Sequence, residues 1–149
     1  MPGASSPATA VVDASVAVKW VVNERHSEAA AALLDRSIRW LAPRLMLVEA
    51  AAALRRKTAG GELRPGAAAT SLAALLDAVR HGVIRLTDDE DLVASALLLA
   101  IDLGHKLPDC VYLTLAEREG CSLSTGDRRL ARLAQSRNVG VLGVGAAAV

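Results

Sequence analysis

The chain has 149 residues, of which 52% are hydrophobic and 22% are charged. This length and composition describe one globular domain that is large enough to bury a core, not a fibrous or disordered chain. The 17 basic and 16 acidic residues give a formal net charge of +1, which excludes a general field for gathering nucleic acid, so any RNA binding must come from local basic patches.

The sequence shows no sign of export or of a membrane span. No basic start precedes an apolar core at the N-terminus, and the apolar run over residues 92–101 is shorter than the ~18 residues of a spanning helix. Cys110 and Cys121 lack CxxC spacing, and we expect both to be buried and reduced. These features predict a cytoplasmic protein with no membrane partner.

Strands and helices alternate along the chain after a small, polar leader over residues 1–9, which we expect to be flexible. The predicted strands cover residues 10–12, 38–41, 83–86, 122–124 and 139–144. A short helix is predicted to begin near Ser15. Further helices are predicted over residues 27–36, 43–57, 65–80, 89–103, 108–119 and 128–136. This alternation is typical of a three-layer α/β domain with a central, mainly parallel sheet flanked by helices, here over residues 10–149.

Two acids directly follow predicted strands. Asp13 comes after the apolar run at 10–12, and Asp127 follows the strand at 122–124. In open α/β sheets ligands bind at the carboxyl ends of the strands, where the strand order reverses, so both acids are candidates for a site. The alternative is that each acid only caps the helix that follows it.

Two further acids interrupt apolar helices. Glu49 is the only charge in "LMLVEAAAAL", a helix that we expect to be buried because it is apolar on every side. Its alternative role is an ion pair with Arg55, Arg56 or a neighbouring helix. Asp109 follows Pro108 at the start of an apolar helix, and it could simply favour the helix dipole.

Taken together, the four carboxylates suggest a metal site, because several acids near the interior repel one another unless a cation lies between them. Hard oxygen ligands without His or Cys suit Mg²⁺ or Mn²⁺. Such ions assist phosphodiester hydrolysis in two-metal nucleases. Ser15 and Thr125 lie two residues from Asp13 and Asp127 and could position water or ligating oxygens, or be ordinary turn hydroxyls.

Four stretches, "VVDASVAVKW", "LVEAAAALRRK", "LPDCVYLTLAEREG" and "LSTGDRRL", resemble a PIN domain when taken in this order, in particular a bacterial toxin of the VapC type. The resemblance covers residues 10–144, and the first and last stretches are the most specific. It implies a parallel sheet between helices and four acids that hold Mg²⁺ or Mn²⁺ for RNA cleavage. Carried over residue by residue, these acids are Asp13, Glu49, Asp109 and Asp127.

The resemblance also implies partners: an RNA substrate, a small antitoxin protein and a second copy of the chain in a homodimer. The implied reaction is hydrolysis of an RNA phosphodiester by metal-activated water, without a covalent nucleophile. Phosphate contacts are expected from two basic clusters, although each could be only a solvated helix face. These clusters are Arg55, Arg56 and Lys57, and Arg128, Arg129 and Arg132. We expect His26, His81 and His105 to be ordinary surface residues.

Other functions fit the sequence less well. A dehalogenase-like phosphatase normally has a second Asp where this chain has Ser15, and a receiver domain needs a late lysine that is missing here. Gly143-Val144-Gly145 is followed by no helix, which argues against a dinucleotide site. The remaining alternatives are an RNA-processing PIN nuclease without an antitoxin and a non-catalytic PIN-like scaffold that binds RNA or protein.

Overall fold

The computed structural model describes residues 7–148 and forms a sheet of five strands surrounded by helices. The strands are β1 (Ala8–Val12), β2 (Ile38–Pro43), β3 (Ile84–Thr87), β4 (Ser122–Thr125) and β5 (Val141–Gly143). The helices are α1 (Ala14–Val21), α2 (Ser27–Leu34), α3 (Leu45–Ala59), α4 (Pro65–Arg80), α5 (Val93–Leu103), α6 (Leu107–Glu119) and α7 (Arg128–Ser136). Short 3₁₀ turns cover Asp89–Asp91 and Gly145–Ala147.

The strand order is β3-β2-β1-β4-β5, and all four strand pairs are parallel. From β1 the chain proceeds outward through β2 to β3, and it then returns to the other side of β1 to form β4 and β5. The order therefore reverses between β1 and β4, which is where open α/β sheets bind ligands. The predicted α/β architecture is confirmed, and the sheet is parallel throughout the described residues.

The central strand is buried because helices cover the sheet on both faces, as parallel sheets require. Ala10, Val11 and Val12 of β1 are at most 1% exposed. Helices α1 to α4 pack on one another, whereas α5 packs on α6, which lies against β1, β2 and β4. Seven consecutive residues of α6, from Cys110 to Ala116, are buried, so this helix is a second central element of the core.

Two predicted boundaries are wrong near the start of α3. Pro43 ends β2, where it pairs in register with Thr87, and does not begin the helix. The predicted helix over 89–103 is a 3₁₀ turn followed by α5, because the side chains at its start bind the beginning of α3. Asp88 pairs with the Arg44 guanidinium (2.5 Å), and the Asp89 carboxylate accepts from the Leu45 N–H (3.1 Å) at the first residue of α3.

The remaining differences from the predictions are small. Strand β1 begins at Ala8, so the last two residues of the predicted leader belong to the sheet, whereas residues 1–6 lie outside the described part. The single domain over 10–149 stays a prediction. Both cysteines are free, as expected, but only Cys110 is buried and Cys121 is half-buried. Within residues 7–148 no helix combines the length and apolar character needed to span a bilayer.

The turn at Gly145–Ala147 folds back over the end of β5, which makes Gly143 a sensitive position. A Cβ at Gly143 would lie 1.8 Å from the Ala147 carbonyl oxygen, so the backbone would have to move. We expect Gly143→Ala to destabilise the fold by about 1–3 kcal/mol, measured by urea unfolding.

Gly66→Ala is the matched control for this exchange. A Cβ at Gly66, in the first turn of α4, would meet nothing within 4 Å. The control should leave stability unchanged or raise it by about 0.4–1 kcal/mol, since alanine restricts the unfolded chain more than glycine does. Equal unfolding midpoints for Gly143→Ala and wild type would contradict the proposed clash.

Candidate functional site

Asp13 lies at the carboxyl end of β1, and its carboxylate is enclosed by hydrogen-bond donors. Oδ1 accepts from the Ser15 hydroxyl (2.6 Å) and from the Val16 N–H (3.2 Å), and Oδ2 accepts from the Thr125 hydroxyl (2.5 Å). The residue is 5% exposed. The capping interpretation of Asp13 is confirmed, since it is the N-cap of α1, and its position where the strand order reverses keeps it a candidate site residue.

Ser15 and Thr125 connect Asp13 to the loop that follows β4. The Gly126 N–H donates to the Ser15 hydroxyl oxygen, and the Asp127 N–H donates to that of Thr125, both at 2.9 Å. Each hydroxyl thus accepts from the backbone and donates its own proton to Asp13. This arrangement joins the ends of β1 and β4 through one carboxylate.

Glu49 lies in a less buried helix than predicted. Val48 is 73% exposed and Glu49 is half-buried, so α3 is not buried on every side. The prediction of a buried helix is wrong because the alanines of α3 cover little area and are compatible with a surface helix. Within the described residues Glu49 makes no ion pair with Arg55 or Arg56. It accepts instead a hydrogen bond of 2.6 Å from the Tyr112 hydroxyl of α6.

Asp109 lies in the first turn of α6 and is half-buried. Its Oδ2 is 2.8 Å from Nε2 of His105, which precedes the helix. The prediction that His105 is an ordinary surface residue is wrong, since its side chain is only 10% exposed and contacts a candidate metal ligand. His26 and His81 are exposed, as expected.

Asp127 is the N-cap of α7, as its alternative interpretation had it. Its Oδ1 accepts from the Arg129 N–H (2.8 Å) and, at a longer distance, from the Leu130 N–H (3.4 Å). The residue is half-buried. Capping uses only one carboxylate oxygen, so it does not prevent the other from binding a ligand.

Three of the four acids interact electrostatically. Burial raises the pKa of Asp13 to about 6, against the opposing hydrogen bonds from Ser15, Thr125 and Val16, and the charge on Asp109 adds to the rise. Burial also raises the pKa of Glu49, again with a contribution from Asp109. Negative charge is therefore concentrated beside the ends of β1, α3 and α6.

The donor set fits a hard divalent cation, because it consists of carboxylate and hydroxyl oxygens. The mutual repulsion of these carboxylates is what a bound cation would relieve. The side chains that would hold the ion are Asp13, Glu49, Asp109 and Asp127. Among residues 7–148 no three acidic, His or Cys side chains are already arranged around one position that could hold a metal.

The predicted basic clusters differ in how available their charges are. Arg55 and Arg56 are exposed, and the charge of Arg56 acts to lower the pKa of Glu49. Lys57 is engaged instead, since its ammonium pairs with Glu24 and lies 3.4 Å from Glu62. In the second cluster Arg128, Arg129 and Arg132 are all exposed.

Two side chains beside the acids were not among the predicted site residues. Tyr112 and His105 each contact a candidate acid, yet neither belongs to an acidic motif. A partial signal was available for Tyr112, because it lies one turn after Asp109 on the same helix and residues at this spacing share a face. His105 is four positions before Asp109 but outside α6, so helical periodicity could not find it.

Comparisons with known proteins agree on the fold. The family model described as PIN domain matches residues 10–136. None of the curated proteins matches the sequence significantly. PAE2754 from Pyrobaculum aerophilum is 20% identical with a TM-score of 0.69, and the alignment covers 91% of this chain and 89% of that one.

Two further solved structures are similar. VapC20 from Mycobacterium tuberculosis, a toxin that cleaves the Sarcin-Ricin loop, is 16% identical with a TM-score of 0.66, over 83% of this chain and 94% of that one. VapBC2 from Rickettsia felis, solved with a promoter DNA fragment, is 11% identical with a TM-score of 0.59, over 91% and 98%. At these identities the likeness shows a shared fold.

The raised pKa of Asp13 predicts a pH-dependent stability for the metal-free protein. Between pH 4 and 6 the folded state holds a proton that the unfolded state has released, and this advantage disappears as pH rises through about 6. A shift of about two units corresponds to about 3 kcal/mol. We expect Asp13→Asn to lose this dependence and to gain stability relative to wild type on going from pH 4 to 7.

Urea unfolding at several pH values measures the difference in unfolding free energy between variant and wild type. Because Glu49 is present in both proteins, its titration cancels in this difference. Asp77→Asn serves as control, because Asp77 is exposed on α4 and pairs with Arg80 outside the site. A difference curve for Asp13→Asn that is as flat as that of the control would return Asp13 to a simple capping role.

Proposed function

Because the chain belongs to the PIN domain family, we propose that it is a metal-dependent ribonuclease that hydrolyses RNA phosphodiester bonds. The observation that carries this proposal is the buried carboxylate of Asp13 at the reversal point of the sheet, with Asp109 close enough to raise its pKa. A buried acid held by three donors and repelled by a second acid is costly unless it binds a cation.

In this proposal the carboxylates of Asp13, Glu49, Asp109 and Asp127 hold Mg²⁺ or Mn²⁺. When bound, such an ion lowers the pKa of a coordinated water and stabilises negative charge on the phosphate. The side chains supply placement and not a nucleophile. The hydroxyls of Ser15 and Thr125 donate hydrogen bonds to Asp13 and so orient its carboxylate.

RNA would be held by exposed arginines on either side of the acids. Arg56 is close enough to Glu49 to oppose its pKa rise, and so is Lys106. Arg55, Arg128, Arg129 and Arg132 could extend the contact along the phosphate backbone, with Lys57 contributing once it leaves its acidic partners. Among the described residues only three are aromatic, so backbone contacts should matter more than base stacking.

We further propose that the ribonuclease is the toxin of a type II toxin–antitoxin pair acting in the cytoplasm. The fold similarity to VapC20, a toxin, and to VapBC2 supports this role. A small antitoxin would bind beside the acids and insert a basic side chain among them, which would replace the charge of the metal ion. Co-expression with the product of a neighbouring reading frame should then restore growth that the chain alone inhibits.

A homodimer is supported by an apolar stripe on α5. Val93, Leu97, Leu98 and Ile101 lie on one face of this helix and are 43–70% exposed. The opposite face of α5 packs on α6. Contiguous exposed apolar side chains of this kind mark interaction sites, and a two-fold axis across the stripe would bury it against itself.

The proposed nuclease should lose its activity when Asp109 becomes Asn. The exchange keeps the size of the side chain but removes a negative charge from the site, so cleavage of RNA should fall by about 10²-fold or more. A labelled RNA pool incubated with purified protein and Mg²⁺ or Mn²⁺ measures the loss. Asp77→Asn is the control and should cleave like wild type.

Removal of the metal with EDTA should abolish cleavage, and added Mn²⁺ should restore it. Cleavage that persists in EDTA, or in Asp109→Asn, would contradict the proposed mechanism. Growth of the host expressing wild-type protein without any defect would count against the toxin role only, provided that the host contains the target RNA.

The homodimer should dissociate when charge is placed in its apolar stripe. Repulsion across the two-fold axis predicts that the double substitution Leu98→Glu and Ile101→Glu gives monomers in sedimentation or light-scattering measurements. Val48→Glu is the matched control, because Val48 is equally exposed but lies on α3. Wild-type protein that is monomeric at about 100 μM would contradict the dimer, because even a weak dimer should form at this concentration.

A further inference from the structure

Tyr112 is a buried tyrosine with its hydroxyl among the candidate acids. The residue is 2% exposed and lies in the central part of α6. Its hydroxyl donates to Oε1 of Glu49 at 2.6 Å.

Tyr112 therefore connects two helices that carry candidate acids. It shares α6 with Asp109, and its hydroxyl proton goes to Glu49 of α3. Because Tyr112 is buried in the core, its ring cannot follow a movement of Glu49. The core fixes the position of the hydroxyl, and the hydrogen bond in turn holds the Glu49 carboxylate.

Glu49 depends on such a fixed point more than the other acids do. Asp13 accepts from three donors, and Asp127 is held by the N-terminus of α7. Glu49 has a longer side chain on a half-exposed helix, and Tyr112 is its one hydrogen-bond donor among the described residues. Without that bond its carboxylate could turn toward solvent, away from Asp109.

We propose that Tyr112 is a positioning residue that holds the Glu49 carboxylate where it can bind the divalent cation. This inference rests on the proposed function, because it assigns Glu49 to the metal site. Tyr112 acts through Glu49 and does not itself touch the substrate or the ion. Tyr112 lies one helical turn after Asp109 on α6, so its bond to Glu49 links the helices that carry two of the proposed ligands.

The test measures Mn²⁺ binding by electron paramagnetic resonance or calorimetry, without RNA. Tyr112→Phe removes only the hydroxyl, and we expect the Mn²⁺ affinity to fall by about 10–100-fold, which is the usual effect of losing a group that orients a metal ligand. At saturating Mn²⁺ the KM for RNA should be unchanged, because the phosphate contacts remain.

Ser124→Ala is the matched control for the loss of a buried hydroxyl. Ser124 is fully buried, and its hydroxyl donates to the Leu142 carbonyl oxygen and not to a carboxylate. Both variants should lose about 2–4 °C in Tm for each kcal/mol of lost hydrogen bonding. Only Tyr112→Phe should also lose Mn²⁺ affinity, which separates positioning from simple destabilisation.

A double-mutant cycle tests whether Tyr112 acts through Glu49. In the Glu49→Gln background the ligand is already lost, so adding Tyr112→Phe should change the Mn²⁺ affinity by less than about twofold. If Tyr112→Phe does not fold, Glu49→Asp withdraws the carboxylate from the hydroxyl by one methylene and should weaken Mn²⁺ binding on its own.

Four outcomes separate the failure of the positioning role from the failure of the proposed function. Wild-type affinity in Tyr112→Phe, or a full additional loss in the Glu49→Gln background, would overturn the positioning role while leaving the nuclease intact. Wild-type affinity in Glu49→Asp would overturn it as well. A wild-type protein that binds no Mn²⁺ and cleaves no RNA would overturn the proposed function itself.

Discussion

The burial of one carboxylate constrains the whole active end of this domain. Asp13 is removed from water at the end of a central strand, and an ionised acid there is stable only if nearby donors replace the lost solvent. The chain meets this requirement with one backbone N–H from α1 and two hydroxyls, one of which comes from β4. These donors do not fully offset the cost of burying the charge, and the pKa of Asp13 therefore stays raised.

The topology of the sheet places the elements that carry the other candidate acids beside the strand that ends at this charge. Reversal of the strand order between β1 and β4 opens a crevice at their carboxyl ends. Asp127 follows β4, and α6, which packs against β1, carries Asp109, whose charge contributes to the raised pKa of Asp13. Glu49 comes from the helix after β2, the strand on the other side of β1. Each acid thus arrives on a different element, and helix packing sets the distances between them.

The acids that end strands could be predicted from the sequence, whereas their partners could not. Asp13 and Asp127 follow short segments that were predicted as strands, and a parallel sheet brings the ends of such strands to one edge. The contact between Tyr112 and Glu49 joins residues 63 positions apart on two helices, and it depends on a packing angle that no local pattern encodes. The exposure of α3 was mispredicted because a run of alanines carries no information about which side faces water.

The hydrogen bond between Thr125 and Asp13 spans 112 positions of the chain, and this separation matters while the protein is being made. Strand β1 leaves the ribosome early and can pair with β2, but its other neighbour, β4, is synthesised more than a hundred residues later. The chain therefore has Asp13 without its second hydroxyl until β4 has been synthesised, however early β1 and β2 pair. The arrangement at the ends of β1 and β4 can form only after both strands exist, so its assembly is a late step relative to the pairing of β1 with β2.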